Sequence, residues 1–403
     1  MSSRFDRPQA AWLFAGGSMQ RAAADAVRAR GLKLILTDGN PHCLLAPRAD
    51  VFLHLDTFAI AQNKARAVEL VKDYDIRAVF TAAADCHETV AEVARALNLP
   101  GIDPIIAHAC RFKYETRKIL TAAGIPQPRY TIVSSLAEAE KALAAIGLPA
   151  ALKATDNSAS KGFTRLDQTS DLNERSFAHA LANGTTGLAI IEELLIPLPG
   201  EIAEQSVETV WHDGKMRWLN WVDRLFRKDF SLLQIPWTAQ SDPYSAMSWA
   251  IELAHFNPAD HKAELRAEVE NLVRRAGDAM GMGSQHGGHI LKADIMLTTR
   301  GPMILELTPR LSGGWDSSFS SPQRGADFVG GVLALAMGET LDDALWRRYF
   351  RYRHPERVAA VLARVEPGAR DCIGRDFAPG IGTDRASALR QAYESLRAGK
   401  FLN

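Results

Sequence analysis

Short apolar runs and amphipathic stretches alternate along the first hundred residues. Apolar runs that end near glycine or small residues predict strands at 10–16, 32–40 and 76–83. Apolar positions at helical spacing predict helices at 18–31, 65–74 and 86–101. Strands that alternate with helices at this spacing predict a parallel sheet with right-handed crossovers.

The pattern changes after about residue 104. A basic helix, a Gly-Ile-Pro stop at 124–126 and a further strand–helix–strand pattern reach to about 155. From residue 187 the chain is rich in strand patterns, with a predicted hairpin turn at 212–214 and one long helix at 260–281. The tail after residue 340 is basic and less regular.

The segment "LKADIMLTTRGPMILELT" predicts a hairpin that carries two acids in otherwise apolar strands. If 299–301 is a three-residue loop ending in a left-handed glycine, Asp294 lies directly across from Glu306. The same register places Lys292 across from Thr308. Residues directly opposite each other have Cβ atoms about 5 Å apart, so the two carboxylates would repel.

The repulsion between Asp294 and Glu306 needs a physical answer. Two close, partly buried carboxylates persist only if one is protonated or a cation lies between them. Magnesium commonly takes one or two carboxylates together with substrate phosphates. Alternatively, one acid faces solvent, or Lys292 or Arg310 neutralises the pair. The hairpin alone leaves these alternatives open.

Composition narrows the class of protein. The chain has 403 residues, 47% hydrophobic and 23% charged, with 47 basic and 47 acidic side chains. A neutral balance argues against a nucleic-acid or membrane-surface binder. The four cysteines form no CxxC pair, the N-terminus lacks a secretion signal, and no run of 18 apolar residues occurs. We therefore expect a cytoplasmic protein without nucleic-acid or membrane partners.

The segment "ILELTPRLSGG" resembles the last core motif of the ATP-grasp superfamily, a Glu-x-Asn-x-Arg strand that runs into a glycine turn. Asp294, twelve positions before Glu306, is similar to the other metal ligand of that family. The resemblance covers about residues 10–340 and implies an α/β chain, α+β in its ATP-grasp part. It implies a Rossmann-like domain at 1–104, a small lid subdomain at 105–186, a large subdomain at 187–340 and a C-terminal segment at 341–403.

Three further segments resemble parts of the family in the expected order. "CRFKYETRKILTAAGIP" resembles the entry helix, "ALKATDNSASKGFTRL" the strand lysine with its phosphate loop, and "AIIEELLIPLPGE" the adenine hinge. Each alone could be an ordinary surface loop or solvated face. Together they imply an ATP site formed by Lys113, Lys153, Ser158, Ser160, Gly162, Glu192, Glu193, Leu195 and Glu201.

The metal motif departs from the family at one position. Asp294, Glu306 and Thr308 are the implied ligands for Mg²⁺ or Mn²⁺, but Thr308 stands where the family has asparagine. A hydroxyl is a shorter and weaker metal ligand than an amide oxygen. The phosphate loop also has a single glycine, Gly162. These departures leave open whether one or two metal ions bind.

The resemblance implies an ATP-dependent ligase for small molecules. The γ-phosphate would pass to a carboxylate, and an amine would attack the acylphosphate, as in amino-acid or dipeptide ligation. Lys153 and Arg310 would be catalytic, and the chain could form a homodimer. Contacts to the carboxylate and amine substrates are implied for Arg224, His286 and the turn Ser312, Gly313 and Gly314.

Three other functions compete with this ligase. The same fold could activate formate or bicarbonate, or bind nucleotide without turnover. A dehydrogenase would use "AGGSMQ" as a dinucleotide loop with Asp38 about 20 residues on. That loop lacks the third glycine at the required offset, so this is the weakest of the three alternatives.

Overall fold

The computed structural model describes residues 7–157, 161–246, 251–365 and 376–402. Ser158 and Ser160, both implied in the phosphate loop, lie outside the described residues. The described chain contains one parallel and two antiparallel sheets. The predicted α/β architecture is confirmed.

The N-terminal sheet is parallel, with the strand order β3-β2-β1-β4. Its strands are β1 (Gln9–Phe14), β2 (Lys33–Asp38), β3 (Val51–His54) and β4 (Asp75–Phe80). Its helices are α1 (Arg21–Ala29), α2 (Ile60–Leu70) and α3 (His87–Ala96). The sequence pattern missed β3, and α3 ends at Ala96 instead of continuing to the predicted Pro100-Gly101 stop.

Two helices, α4 (Pro104–Arg111) and α5 (Lys113–Ala122), lead to a small antiparallel sheet. This sheet has the order β5-β8-β6-β7. Its elements are β5 (Tyr130–Val133), α6 (Leu136–Ile146), β6 (Ala150–Ala154), β7 (Thr164–Leu166), α7 (Glu174–Ala182) and β8 (Ala189–Glu193). Ser135 caps α6 by accepting a hydrogen bond from the backbone of Glu138, and Gly147, at φ 86°, ends the helix.

The large sheet is antiparallel, with the order β13-β12-β9-β10-β11-β14-β15. Its strands are β9 (Glu204–His212), β10 (Lys215–Leu225), β11 (Ala254–Asn257), β12 (Gly288–Thr298), β13 (Gly301–Thr308), β14 (Val358–Ala363) and β15 (Phe377–Gly382). Its helices are α8 (Ala263–Ala279), α9 (Ser321–Gln323), α10 (Phe328–Ala336), α11 (Asp343–Leu345) and α12 (Arg385–Arg397).

The C-terminal tail is more regular than its sequence suggested. β14 and β15 lie beyond residue 340, yet β14 pairs with β11 and extends the sheet that contains the acid hairpin. The sequence pattern therefore missed two strands in this tail. Because the pairing partners are about a hundred residues apart, no local turn signal could reveal them. The boundaries between the four predicted segments stay predictions.

The two faces of the large sheet differ sharply. Apolar side chains of β12 (Leu291, Ala293, Ile295 and Leu297) pack in one core with residues of α8. Because side chains alternate along a strand, Lys292, Asp294 and Met296 point to the opposite face. This second face, which we call the polar face, carries the predicted chemistry. Within the described residues, no helix is both long and apolar enough to cross a bilayer.

Candidate active site

The acid hairpin forms with the predicted register at its functional end. Asp294 pairs with Glu306, and Lys292 pairs with Thr308. At the loop end the prediction was wrong by one residue, because Thr298 pairs with Gly301 and closes a two-residue loop. The difference is absorbed by a β-bulge that leaves Leu305 without a partner on β12.

The repulsion between the two acids is relieved in part by neighbouring cations. Lys292 Nζ lies 2.6 Å from Asp294 Oδ2, and Arg224 Nη1 lies 3.3 Å from the same oxygen. Burial would raise the pKa of Asp294, but these two cations outweigh burial and hold the pKa below its ordinary value. Lys113 Nζ is 3.4 Å from Glu306 Oε1. Lys292, one of the two cations weighed above as an alternative to a metal, therefore neutralises Asp294, while Lys113 approaches Glu306.

The donor set of the hairpin suits a hard cation that arrives with phosphates. Asp294 Oδ1 is buried and has no hydrogen-bond partner, while the Glu306 side chain is 31% exposed. The described residues contain no group of three or more acidic, histidine or cysteine side chains placed to hold a metal. Two carboxylates suit magnesium, which takes its remaining ligands from phosphate and water. Thr308 is buried on the same face as Glu306.

The two predicted phosphate lysines have different partners, and only Lys113 contacts the hairpin. Lys113, at the start of α5, donates to the carbonyl of Asn157 at 2.5 Å as well as approaching Glu306. Lys153, on β6, lies 2.6 Å from Glu192 Oε2. Gly162 has φ 72°, and a Cβ there would come within 2.8 Å of the Asn183 side chain. The loop therefore requires glycine at this position.

Glu192 does not have the surroundings implied by the resemblance. Its side chain is fully buried, and its second oxygen accepts a 2.7 Å hydrogen bond from Arg117 Nε. Burial would raise the pKa of Glu192, but Arg117 and Lys153 lower it to about 2. The carboxylate therefore orients Lys153 and is not placed to accept from an adenine amino group. No local pattern in the sequence indicates that Arg117 is the partner of Glu192.

The other hinge residues separate into three environments. Glu193 accepts hydrogen bonds from Arg129 at 3.0 Å and from Arg300 at 2.7 Å. Both arginines are exposed, so the carboxylate of Glu193 is held at the protein surface. Leu195 is buried in an apolar cluster that also contains Ala203, Met296 and Met303. Such a cluster beside the polar face suits the ring of a base.

Glu201 lies apart from this cluster. It is 2.9 Å from His261 Nδ1, and His261 Nε2 is 2.9 Å from the buried Asp223. Asp223 pairs with Gln205, which pairs with Ile295 on the apolar face of the sheet. The implied ribose or phosphate contact of Glu201 is therefore not formed in this arrangement.

Arg310 links the hairpin to the N-terminal domain. Its Nε lies 2.9 Å and its Nη2 2.5 Å from Asp85 Oδ1, just beyond β4. The amide of Leu311 donates to the carbonyl of Ala82 at 3.1 Å. Burial would lower the pKa of Arg310, but Asp85 outweighs burial and raises it, so the guanidinium stays charged.

The glycine turn after Arg310 is only partly as predicted. The Ser312 amide donates to Glu208 Oε1 at 2.5 Å, so it is already occupied and cannot serve an oxyanion without rearrangement. Gly314 has φ 63°, and Gly313 lies beside the loop that contains Ala83. The backbone amides of Gly313 and Gly314 thus stay as the predicted oxyanion contacts.

The two predicted substrate side chains have different positions. Arg224 lies beside Asp294 and also pairs with Glu252 at 2.7 Å, so it borders the acid hairpin. His286 is exposed and lies just before Gly288, the first residue of β12. At ~3.3 Å per residue, that end of the strand is about 20 Å from Asp294. The structure therefore does not bring His286 to the site.

The N-terminal glycine loop does not support a dinucleotide site. Asp38, the implied ribose-binding acid, accepts from the backbone of Gly16 at 2.6 Å and of Asn40 at 2.7 Å. A Cβ on Gly16 would come within 2.6 Å of Cys43 Sγ. The glycine and the acid are thus explained by local packing.

The chain is similar to known proteins in both sequence and structure. No family model matches the chain. It is 28% identical over 372 residues to an uncharacterised protein of Sinorhizobium fredii, covering 92% of this chain and 69% of that protein. It is 24% identical over 226 residues to a D-alanine–D-alanine ligase of Aromatoleum aromaticum, covering 55% of this chain and 64% of that ligase.

Solved structures give the same fold over nearly the whole chain. An ADP complex of N5-carboxyaminoimidazole ribonucleotide synthetase matches with a TM-score of 0.69 at 14% identity and 98% coverage of both chains. An L-amino acid ligase from Bacillus licheniformis matches with a TM-score of 0.67 at 19% identity, covering 89% of this chain and 81% of that one. The implied ATP-grasp fold is thereby confirmed.

Proposed function

We propose that this chain, which has the ATP-grasp fold, is an ATP- and Mg²⁺-dependent ligase that joins a small carboxylate to an amine. The observation that carries the proposal is the arrangement around the acid hairpin. Asp294 and Glu306 face each other, and Lys113 comes within 3.4 Å of Glu306. Arg310 is close enough to both acids for their charges to raise its pKa. Lys153 is joined to the strand of Glu306 through Glu192 and Arg117. Such an arrangement suits a polyphosphate with its metal better than it suits any uncharged ligand.

Asp294 and Glu306 would hold the magnesium ion, with Asp294 Oδ1 as the buried oxygen that otherwise lacks a partner. When bound, the metal would neutralise charge on the β- and γ-phosphates. Lys113 and Lys153 would bind the remaining phosphate oxygens, and the apolar cluster around Leu195 and Met296 would cover the base. The ADP complex of N5-carboxyaminoimidazole ribonucleotide synthetase, which has the same fold, supports a nucleotide as the ligand.

The proposed reaction has two steps whose atoms balance. A substrate carboxylate oxygen attacks the γ-phosphorus, the bond to the β-phosphate oxygen breaks, and ADP leaves. The amine nitrogen then attacks the acyl carbon, and the C–O bond breaks as inorganic phosphate leaves with the electron pair. The amine proton passes to solvent. Arg310 and the amides of Gly313 and Gly314 would stabilise the acyl oxygen as negative charge develops on it.

The experiment is ADP formation from ATP and Mg²⁺ against a matrix of amino acids and other small carboxylates and amines. We expect turnover that requires one carboxylate and one amine together. Glu306→Gln should lower turnover by at least ~100-fold, because a metal ligand that touches the reacting phosphates is lost. Glu268→Gln, on the exposed surface of α8, serves as the matched control. Tight ATP binding without ADP formation from any pair would contradict the ligase and favour a nucleotide-binding protein.

A further inference from the structure

We propose that Arg117 is a positioning residue that holds Glu306 on the polar face of the sheet and couples it to Lys153. The proposal rests on the proposed metal–nucleotide site. Arg117 lies on α5 and is 1% exposed, so its guanidinium is almost fully enclosed by protein. A buried arginine requires partners for its donors, and the identity of those partners reveals its role.

The β-bulge in β13 explains why Glu306 needs support. From the loop to Ile295 the hairpin pairs in one register, with Ile295 opposite Ile304. If that register continued, Glu306 would pair with Ala293 and point to the apolar face. The extra residue, Leu305, shifts the register by one and brings Glu306 opposite Asp294. The bulge is therefore what gives the site its second carboxylate.

Arg117 bonds the backbone at this bulge. Its Nη2 donates to the carbonyl of Leu305 at 2.8 Å, and its Nη1 approaches the carbonyl of Ile304 at 3.3 Å. The planar fork of arginine can serve two neighbouring carbonyls at once, which a lysine ammonium on a flexible stem does not reproduce. Arg117 thus satisfies carbonyl groups at the point where the ladder with β12 is disrupted.

The same guanidinium also contacts the small sheet, which carries the predicted phosphate lysine Lys153. Its Nε donates to Glu192 Oε1 at 2.7 Å, and Glu192 Oε2 lies 2.6 Å from Lys153 Nζ. One continuous chain of contacts therefore runs from the predicted phosphate lysine to the strand of the predicted metal ligand. Loss of Arg117 should release Glu306 and Lys153 together.

The test is calorimetric titration of ADP with Mg²⁺ and with chelator, on wild type, Arg117→Lys and Arg117→Met. We expect the gain in ADP affinity that Mg²⁺ provides to fall about tenfold or more in both variants, as is typical when the support of a metal ligand is removed. Arg129→Met is the matched control. Arg129 also pairs with a glutamate of β8 and a backbone carbonyl, but these partners belong to the small sheet and its helix α6, away from the bulge.

A double-mutant cycle separates positioning from general damage. If Arg117 acts through Glu306, Arg117→Lys and Glu306→Gln should be strongly non-additive in the Mg²⁺-dependent gain. If Arg117→Met fails to fold in a thermal scan, Arg117→Lys decides, because it keeps the charge beside Glu192. A folded Arg117→Lys with the wild-type gain would overturn the proposal. Wild type without any Mg²⁺-dependent ADP binding would instead overturn the proposed function, and this inference with it.

Discussion

Replacement of Lys292 by methionine tests the electrostatics of the acid hairpin. The ammonium lies 2.6 Å from Asp294 Oδ2, and both side chains are at most 10% exposed. At that distance and an effective dielectric constant near 20, two unit charges attract by about 6 kcal/mol before desolvation is subtracted. Breaking a buried pair typically costs about 3–5 kcal/mol.

Arg224 stays 3.3 Å from the same oxygen and offsets part of the loss. We therefore expect Lys292→Met to lower the free energy of unfolding by about 2–3 kcal/mol at pH 7. Lys33→Met is the matched control, because Lys33 is 53% exposed in its 3.0 Å pair with Asp50. Exposed pairs contribute about 0–1 kcal/mol.

The pH dependence fixes the cause of the loss. The folded pKa of Asp294 lies below its ordinary value, so ionised Asp294 stabilises the fold above its unfolded pKa of about 3.9. That stabilisation is lost as the pH falls through the folded pKa. Without Lys292, burial should raise the pKa of Asp294 in the variant, so the variant takes up a proton and escapes its penalty at a higher pH than wild type does. Urea unfolding followed by tryptophan fluorescence should therefore show a smaller difference between wild type and Lys292→Met at pH 4 than at pH 7. A loss below ~0.5 kcal/mol at pH 7, or an equal loss at both pH values, would refute this reasoning.

Two further predictions concern the apolar side of the large sheet. A Cβ on Gly277 of α8 would overlap the Trp211 ring. Gly277→Ala should therefore lower the free energy of unfolding, measured with urea, by about 1–3 kcal/mol, despite a helix-propensity gain of up to ~1 kcal/mol. A net gain in stability would contradict this packing. Burial would lower the pKa of His261, but Asp223 and Glu201 raise it, so protonated His261 stabilises the fold below its unfolded pKa of about 6.5 and the contribution fades as the pH rises through the folded pKa. His261→Gln should therefore lose most stability near pH 6 and least above pH 8, and a pH-independent loss would argue against a charged histidine.

The acid end of the hairpin was predictable because its signal is local. Two apolar strands, a glycine turn and acids at matching positions fix which side chains face each other. The bulge was not predictable, since Met303, Ile304 and Leu305 are all apolar and show no alternation that would locate an extra residue. The polar contacts of the adjacent acids Glu192 and Glu193 were equally hidden. Only the folded sheet shows that Glu192 is buried and that Glu193 pairs with arginines at the surface.

The missed elements and the missed arginine share one physical cause. Arg117 is one of four basic residues between Arg111 and Lys118, and its partners lie 75 and 188 residues away. Similarly, β14 is a strand because it pairs with β11, about a hundred residues earlier. Local propensity carries no information on partners at such separations.

The most direct test of the ligase uses a carboxylate substrate labelled with ¹⁸O in both oxygens. Once an active substrate pair is known, mass spectrometry of the released phosphate reports which bond was made. If the acylphosphate forms, we expect one ¹⁸O atom in inorganic phosphate for each product molecule formed, because a carboxylate oxygen becomes the bridging oxygen of the acylphosphate. Label in AMP would show that the carboxylate is adenylated instead, and phosphate without label would show that ATP is hydrolysed by water.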